Sequence, residues 1–421
     1  MVKKILSKIV KKNVKMADFI PWVWIGLILG CAAGCTGCAS SGIHSTFQPK
    51  VLDVSSETLK VTTKLPLLWS KTMRGAISGL SMAKNGQAIL VATSPDPDIV
   101  GSASSFLLSW LDSRGKLVWR KKLASPIKDQ DLSPDGKFAV VTNYSDEVMA
   151  YNEQGKQMWT QKGTCRPYVL PLTRKTLCYH DDDPESDIAF DVFDLRGEKV
   201  LSYPISADIL SLKYTSDERY FVLALTRGWV VLLDSEFRLV WERKVEGELI
   251  DVSVSSGDRP TVSALFRSFA SGRQDPSPSA LALFDLQGNM KGRLALEIQP
   301  IQLEFSSQGN HLALYGNGKS GQHLQVLNFP LPGELSRWRW PASSDYSIQM
   351  ASVGEGVFMG IENPISRRNH LLYFENSGKQ VLNWEIPGDE RTYLYAYRVS
   401  QQAKRVAIAT DDGKIAVFRL N

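Results

Sequence analysis

The sequence predicts an all-β protein, a β-propeller of four-stranded antiparallel blades, on three observations. A hairpin recurs in which an apolar run, a polar turn and a second apolar or tryptophan-bearing run follow one another. Its copies are LDSRGKLVW ending at Trp119, YNEQGKQMW ending at Trp159, FDLRGEKVL around Asp194 and Gly197, LDSEFRLVW ending at Trp241, FDLQGNMKG around Asp285 and Gly288, and FENSGKQVLNW ending at Trp384. Most copies lie about 40 residues apart, the period of propeller blades and not of helical solenoids. Between them sits a second kind of hairpin, clearest in DQDLSPDGKFAVVTN (129–143), so each period supplies four short strands, A to D.

In chain order, the N-terminus comes first. Residues 1–30 carry Lys3, Lys4, Lys8, Lys11, Lys12 and Lys15 against Asp18 alone, so the formal charge of +5 is concentrated there. The remainder sums to roughly zero, which removes the case for a nucleic-acid partner. The lysines precede FIPWVWIGLILG (19–30), an uncharged run in the length range of a signal-peptide core, and then CAAGCTGCASSG. ILGC ending at Cys31 resembles the lipobox of bacterial lipoproteins, in which the cysteine becomes the lipidated first residue. AAGC ending at Cys35 is also acceptable, and CTGC ending at Cys38 is a weaker match.

Residues 19–39 are also uncharged over a length that just spans a bilayer, so an uncleaved anchor with the lysines inside is the alternative, and soluble secretion a third. All three carry the body of the protein across the membrane. Ala32 stands where some bacteria place an inner-membrane retention aspartate, which favours the outer membrane. The expected division is a signal peptide over 1–30, a lipidated terminus and flexible tether over 31–60, and the propeller over 61–421.

Within the body, the first hairpin of each period uses turn chemistry. In Ser133-Pro134-Asp135-Gly136, Pro and Asp preset the turn and Gly takes positive φ at little cost. Counterparts begin near residues 81, 211, 252, 303, 350 and 397, and PYVLPLTRKTLCYH is the degenerate member in the third period. The ends set the count. The sequence finishes with GKIAVFRLN, a third strand without a fourth, while KLPLLWSKTM (64–73) is a tryptophan-bearing fourth strand with no blade before it. Joining them closes a ring of eight blades, the last completed by the N-terminal strand, and removes exposed sheet edges. Seven blades is the alternative. The recurring Trp69, Trp119, Trp159, Trp241, Trp340 and Trp384 are expected at similar places on outer strands, covering the neighbouring blade.

These repeats resemble those of bacterial propeller lipoproteins with quinoprotein-like or WD40-like repeats, a group that includes the propeller lipoprotein of the outer-membrane β-barrel assembly machinery. The resemblance covers nearly the whole sequence after the tether. It implies a propeller that binds proteins in the cell envelope. Quinoprotein repeats place three residues between Asp and Gly where LDSRGKLVW and FDLRGEKVL have two, which speaks against bound pyrroloquinoline quinone. SPDGKFAVV resembles instead the repeats of translocation-associated and lactonase-like propellers.

Catalytic patterns are sparse. The histidines of the body, His180, His311, His323 and His370, are not paired at metal-ligand spacing, and the sequence has no G-x-S-x-G elbow or P-loop. HDDDPESD, from His180 to Asp187, supplies carboxylates that suit Ca²⁺ but without the spacing of a known calcium loop. Cys165 and Cys178 stand at the two ends of a strand, turn and strand; they are either partners in a disulfide or two buried thiols.

Loop length is more informative. The long connections, at 94–105, 181–187, 267–280, 316–322 and 362–370, all join strand B to strand C and so emerge on one face. That face is the expected interaction surface, with Asp96, Asp98, Asp181, Asp182, Asp183, Arg273, Arg367 and Arg368. The expected function is that of a membrane-tethered envelope scaffold for a protein partner, without a cofactor. The alternatives are a channel enzyme, quinone-dependent or lactonase-like, and a ligand-binding sensor.

Overall fold

The computed structural model describes residues 50–53, 65–96, 105–163, 165–170, 172–179, 188–204, 207–215, 217–267, 279–306, 311–318, 321–328, 335–340, 347–353, 356–362, 369–375, 380–385, 394–400, 402–410 and 412–420. Among these described residues the strands form eight sheets. Seven are made of four consecutive strands, the first and last of each being Ala76–Met82 and Leu117–Leu123 (blade 1), Ile127–Leu132 and Gln157–Lys162 (blade 2), Arg166–Leu170 and Lys199–Pro204 (blade 3), Ile209–Tyr214 and Leu239–Lys244 (blade 4), Glu248–Val254 and Met290–Leu296 (blade 5), Gln299–Phe305 and Leu335–Trp340 (blade 6), and Ser347–Val353 and Gln380–Glu385 (blade 7). Blade 8 joins Leu394–Ser400, Arg405–Thr410 and Lys414–Arg419 to Leu67–Thr72, with Trp69 opposite Val417.

Each inner strand A packs beside its neighbours, blade 8 returns to blade 1, and one hydrophobic cluster joins blades 3 and 4, so the sheets close into a ring. Strands B and C are covered on both faces by adjacent blades. Their sequences accordingly run apolar without alternation, as in AILVATS of blade 1, where Leu90 and Val91 are fully buried. The outer strands D are largely exposed. Lys50–Asp53, inside the stretch expected to be tether, pairs parallel with Leu335–Trp340 as a fifth strand of blade 6. An outer blade edge leaves backbone groups unpaired, and a short extended segment satisfies them.

The recurrent hairpin and its tryptophan form one device that locks blade 8 to blade 1, 1 to 2, 2 to 3 and 4 to 5. The aspartate that opens the C–D turn accepts two backbone N–H groups: Asp112 Oδ1 from Arg114 and Lys116, Asp285 Oδ1 from Gln287 and Asn289. Gly115, Gly155, Gly197 and Gly288 then adopt positive φ. Onto each of these glycines packs the tryptophan of the preceding blade, so a Cβ there would meet Trp69, Trp119, Trp159 or Trp241 within 3.0 Å. Trp69 Nε1 donates to Ser113 O, and Trp119 Nε1 to Glu153 O, both at 3.1 Å. The residue two beyond the tryptophan adds a further bond to the glycine carbonyl: Lys71 Nζ at 2.9 Å, Gln161 Nε2 at 2.8 Å and Arg243 Nε at 2.8 Å.

Two of the expected tryptophans are not in this register. Trp384 pairs with Leu371, while Leu382, four residues after Gly378, holds the equivalent position; Trp340 pairs with Gln322. Trp119 and Trp159 stand four residues after the turn glycine and Trp241 four after Phe237 at the same turn position, so this separation, not the mere presence of a tryptophan on an outer strand, marks the register.

Blade 3 departs from the repeat, and blade 4 compensates twice. Leu201 stands opposite Val192 in the tryptophan register, and the smaller side chain leaves room on the next turn. Phe237 fills it, at φ 60° in place of glycine, and packs with Phe190 and Phe221. The A–B turn of blade 3 lacks the Ser-Pro-Asp-Gly pattern. In blade 4 the corresponding glycine position is Glu218, at φ 54° and fully buried, and its carboxylate accepts Leu172 N, Thr173 N and Thr173 Oγ1. Cys165 and Cys178 are joined in a disulfide with Cα atoms 5.2 Å apart, buried between blades 2 and 3. Closing a loop of that length constrains the unfolded polypeptide by about 3 kcal/mol.

A volume exchange tests the complementarity. Phe237→Gly empties a core site, which costs about 3 kcal/mol even after about 1 kcal/mol of relieved backbone strain, and Leu201→Trp alone overpacks at a cost of about 1–3 kcal/mol. The double variant is expected to recover at least about 2 kcal/mol of coupling energy in urea unfolding. Additive losses would contradict the contact.

Candidate functional site

The eight inner strands surround a central channel, which holds a cavity of about 770 Å³. An inner strand presents one free edge to this channel, and its backbone N–H groups need acceptors. Neighbouring blades supply them. Asp131 of blade 2 accepts Val169 N of blade 3 at 2.7 Å and Leu132 N at 2.8 Å. Asp251 of blade 5 accepts Leu303 N of blade 6 at 3.1 Å and Val252 N at 2.9 Å, while Ser253 Oγ accepts Phe305 N at 3.2 Å. Gln130 reaches back from blade 2, its Nε2 donating to Leu90 O of blade 1 at 3.1 Å.

Charges at one level of the wall alternate, with Asp131, Lys213, Glu304 and Arg398 at matching positions on the inner strands of blades 2, 4, 6 and 8. Lys213 and Glu304 pair at 2.9 Å, and nearer the opening Arg166 pairs with Asp129 at 3.0 Å. Burial pushes the Asp131 carboxyl up to about 6 and raises Asp251 as well. The adjacent Glu304 holds Lys213 above its ordinary value, and burial raises Tyr214. Lys84, on the A–B turn of blade 1, places its ammonium 5.7 Å from the ring centre of Tyr214 in blade 4 and so crosses the A–B end of the channel.

The other end has a different character. In blades 1, 2, 4, 5, 6 and 8 the pairing of strand A with strand B slips by one residue near its start, leaving Ser78, Lys128, Leu210, Ile250, Ile301 and Tyr395 as bulges. A bulge frees a residue from the ladder and re-aims its side chain. Leu210 is 45 %, Ile301 50 % and Tyr395 42 % exposed, and Tyr144, on the B–C turn of blade 2, is 66 % exposed. These apolar side chains are set around the mouth on the face of the B–C connections. Tyr395 is fixed by its hydroxyl, which donates to Ser78 O at 2.7 Å.

Of the residues expected on this face, Asp96 is half-buried just after the second strand of blade 1. Asp98, Asp181, Asp182, Asp183, Arg273, Arg367 and Arg368 lie outside the described residues, as do Cys31, Cys35 and the HDDDPESD segment. His311 and His323 fall in strands, His323 buried. Among the described residues no three His, Cys, Asp or Glu side chains are grouped to hold a metal, and no helix is long and apolar enough to cross a membrane. Sequence reasoning missed the mouth and the channel charges. Their signals are doubled apolar residues at the start of strand A, as in Ile209-Leu210 and Leu249-Ile250, and acidic residues in strands otherwise expected to be apolar, as in Asp129-Gln130-Asp131.

No protein-family model and no curated protein matches the sequence. Solved structures do. BamB from Moraxella catarrhalis is 15 % identical with a TM-score of 0.57, the alignment covering 85 % of this chain and 100 % of that one. Sqt1 from Chaetomium thermophilum, bound to the N-terminus of ribosomal protein L10, is 14 % identical with a TM-score of 0.61, over 85 % and 100 %. The propeller domain of Cps50 (Swd1) from Myceliophteria thermophila is 12 % identical with a TM-score of 0.51, over 85 % and 100 %. At these identities the likeness is one of fold: the protein is a β-propeller of four-stranded antiparallel blades.

The raised Asp131 gives a pH signature of fixed sign. Between about pH 4 and pH 6 the folded protein keeps a proton that the unfolded state has released, so this group's contribution to stability falls as pH rises through that window and is level above it. Urea unfolding of the wild type and Asp131→Asn should therefore show a stability difference that moves in favour of the variant from pH 4 to pH 7. A difference independent of pH would contradict the assignment.

Proposed function

We propose that this propeller is a membrane-tethered scaffold of the cell envelope that binds a protein partner on the face of its B–C connections. The observation that carries the reading is the set of exposed apolar side chains, Leu210, Ile301 and Tyr395 on bulges with Tyr144 beside them, held around the mouth of a closed ring. Apolar side chains gathered on one face of a rigid frame suit association with protein. Channel chemistry gains less support, because Asp131 and Asp251 are engaged as backbone acceptors between blades.

The tether and compartment rest on other observations. The lysine-rich start, the uncharged run and Cys31, with Cys35 as the alternative lipidation site, support an exported lipoprotein. The buried Cys165–Cys178 disulfide supports an oxidising compartment. The likeness in fold to BamB agrees with an envelope location, and the Sqt1 structure is that of a similar propeller holding the end of another protein.

Site-specific photo-crosslinking in the native membrane tests the reading. A benzophenone amino acid at Leu210 or Ile301 is expected to give one shared adduct, absent when the probe replaces Leu239 or Met290 on the exposed outer strands. Equal labelling from the outer strands, or none from the mouth, would contradict it.

A further inference from the structure

The chemistry of the partner segment can be read from which charges in the channel are already satisfied. Asp129 is paired with Arg166 and Glu304 with Lys213. Both oxygens of Asp131 accept backbone N–H groups. Arg398, by contrast, is exposed to the channel and makes one hydrogen bond among the described residues, from Nη1 to Tyr397 O at 2.9 Å. Asp131 attracts it from blade 2 without forming an ion pair. Lys84 is also exposed, and among the described residues its ammonium meets the face of Tyr214 and no carboxylate.

Among the described residues, then, Arg398 and Lys84 line the channel without an ion pair. Arg398 lines both the main channel and the smaller recess beneath Tyr395 at the mouth, so it can be reached from the B–C face, and Lys84 lies at the far end. An arginine whose guanidinium retains free donors is suited to a carboxylate, which accepts in the same fork geometry. The bulges above supply the apolar footing.

We propose that the channel mouth binds an acidic segment of a protein partner, a carboxylate on Arg398 with Lys84 behind it, and an adjacent apolar side chain seated among Leu210, Ile301 and Tyr395. This rests on the scaffold reading and names the partner's chemistry. The charge supplies selection and approach, because a neutral segment leaves both cations unmatched, while the apolar contacts supply area. Asp131 and Glu304, facing Arg398 and Lys213, disfavour a basic segment at the same level.

Selection of random displayed peptides on the full-length protein tests the proposal. Enriched peptides are expected to carry Asp or Glu next to an apolar residue, to bind about tenfold more weakly when the acid is replaced by its amide, and to weaken with salt. The same loss is expected for the Arg398→Ala/Lys84→Ala variant, whose fold is checked by its thermal transition. A free terminal carboxylate of the peptide, in place of an Asp or Glu side chain, would show as binding lost on amidation of that terminus alone. Enrichment of neutral or basic peptides, equal binding to the double variant, or no enrichment would overturn the proposal. Persistence of the Leu210 and Ile301 crosslinks in the double variant would separate the two ideas, keeping the scaffold reading while the acidic ligand falls.

Discussion

The contact between a tryptophan and the glycine turn of the next blade, made where blade 8 meets 1, 1 meets 2, 2 meets 3 and 4 meets 5, is the constraint on which those junctions of the ring depend. A four-stranded sheet alone has two open faces and two open edges, and it becomes stable only when its neighbours cover them. The indole covers the outer part of that junction, lying on the turn glycine of the next blade. Its nitrogen and the polar side chain two residues on also bond the turn, so Trp69 with Lys71 fixes position as well as distance. Because Trp69 belongs to the strand that closes blade 8, the N-terminal part of the body joins its own blade to the C-terminal strands and holds blade 1 from outside.

The inner wall answers a different need with the same economy of means. Inner strands have one unpaired edge, and the sequence places carboxylates and a serine where they reach the next blade's N–H groups. A channel lined with acid therefore does not by itself indicate catalysis. The same logic separates Asp131 from Arg398, which occupy equivalent positions on their strands: one has its oxygens committed to backbone, the other has donors to spare. Rigidity at both the rim and the wall lets bulged residues such as Leu210 and Ile301 be presented at fixed positions, which lowers the cost of ordering a binding surface.

Much of the architecture was legible because it repeats. Asp, two residues and Gly announce a tight turn by local chemistry alone, and the unmatched strands at the two ends announce closure. The tryptophans were legible as packing, but the distance of four from the turn position was needed to exclude Trp384 and to see that Leu201 and Phe237 exchange volumes. That exchange is invisible to a search for the repeat, since it is written as two departures from it. The candidate surface was legible only as a face. Long B–C connections point to the same face as the bulges, whereas a bulge depends on a one-residue slip between paired strands, and pairing register is a tertiary property that Ile209-Leu210 only hints at. Convergence of Asp129, Arg166, Lys213 and Arg398 from four blades is likewise a consequence of closure.

Hydrogen exchange on Trp159→Ala addresses the central claim most directly. If the indole supports the following blade, protection is lost at the 194–199 turn of blade 3, around Gly197, while the 112–116 turn of blade 1 keeps its protection. Loss confined to the variant's own strand, Gln157–Lys162, would show that the blades hold together without the contact and would contradict the account.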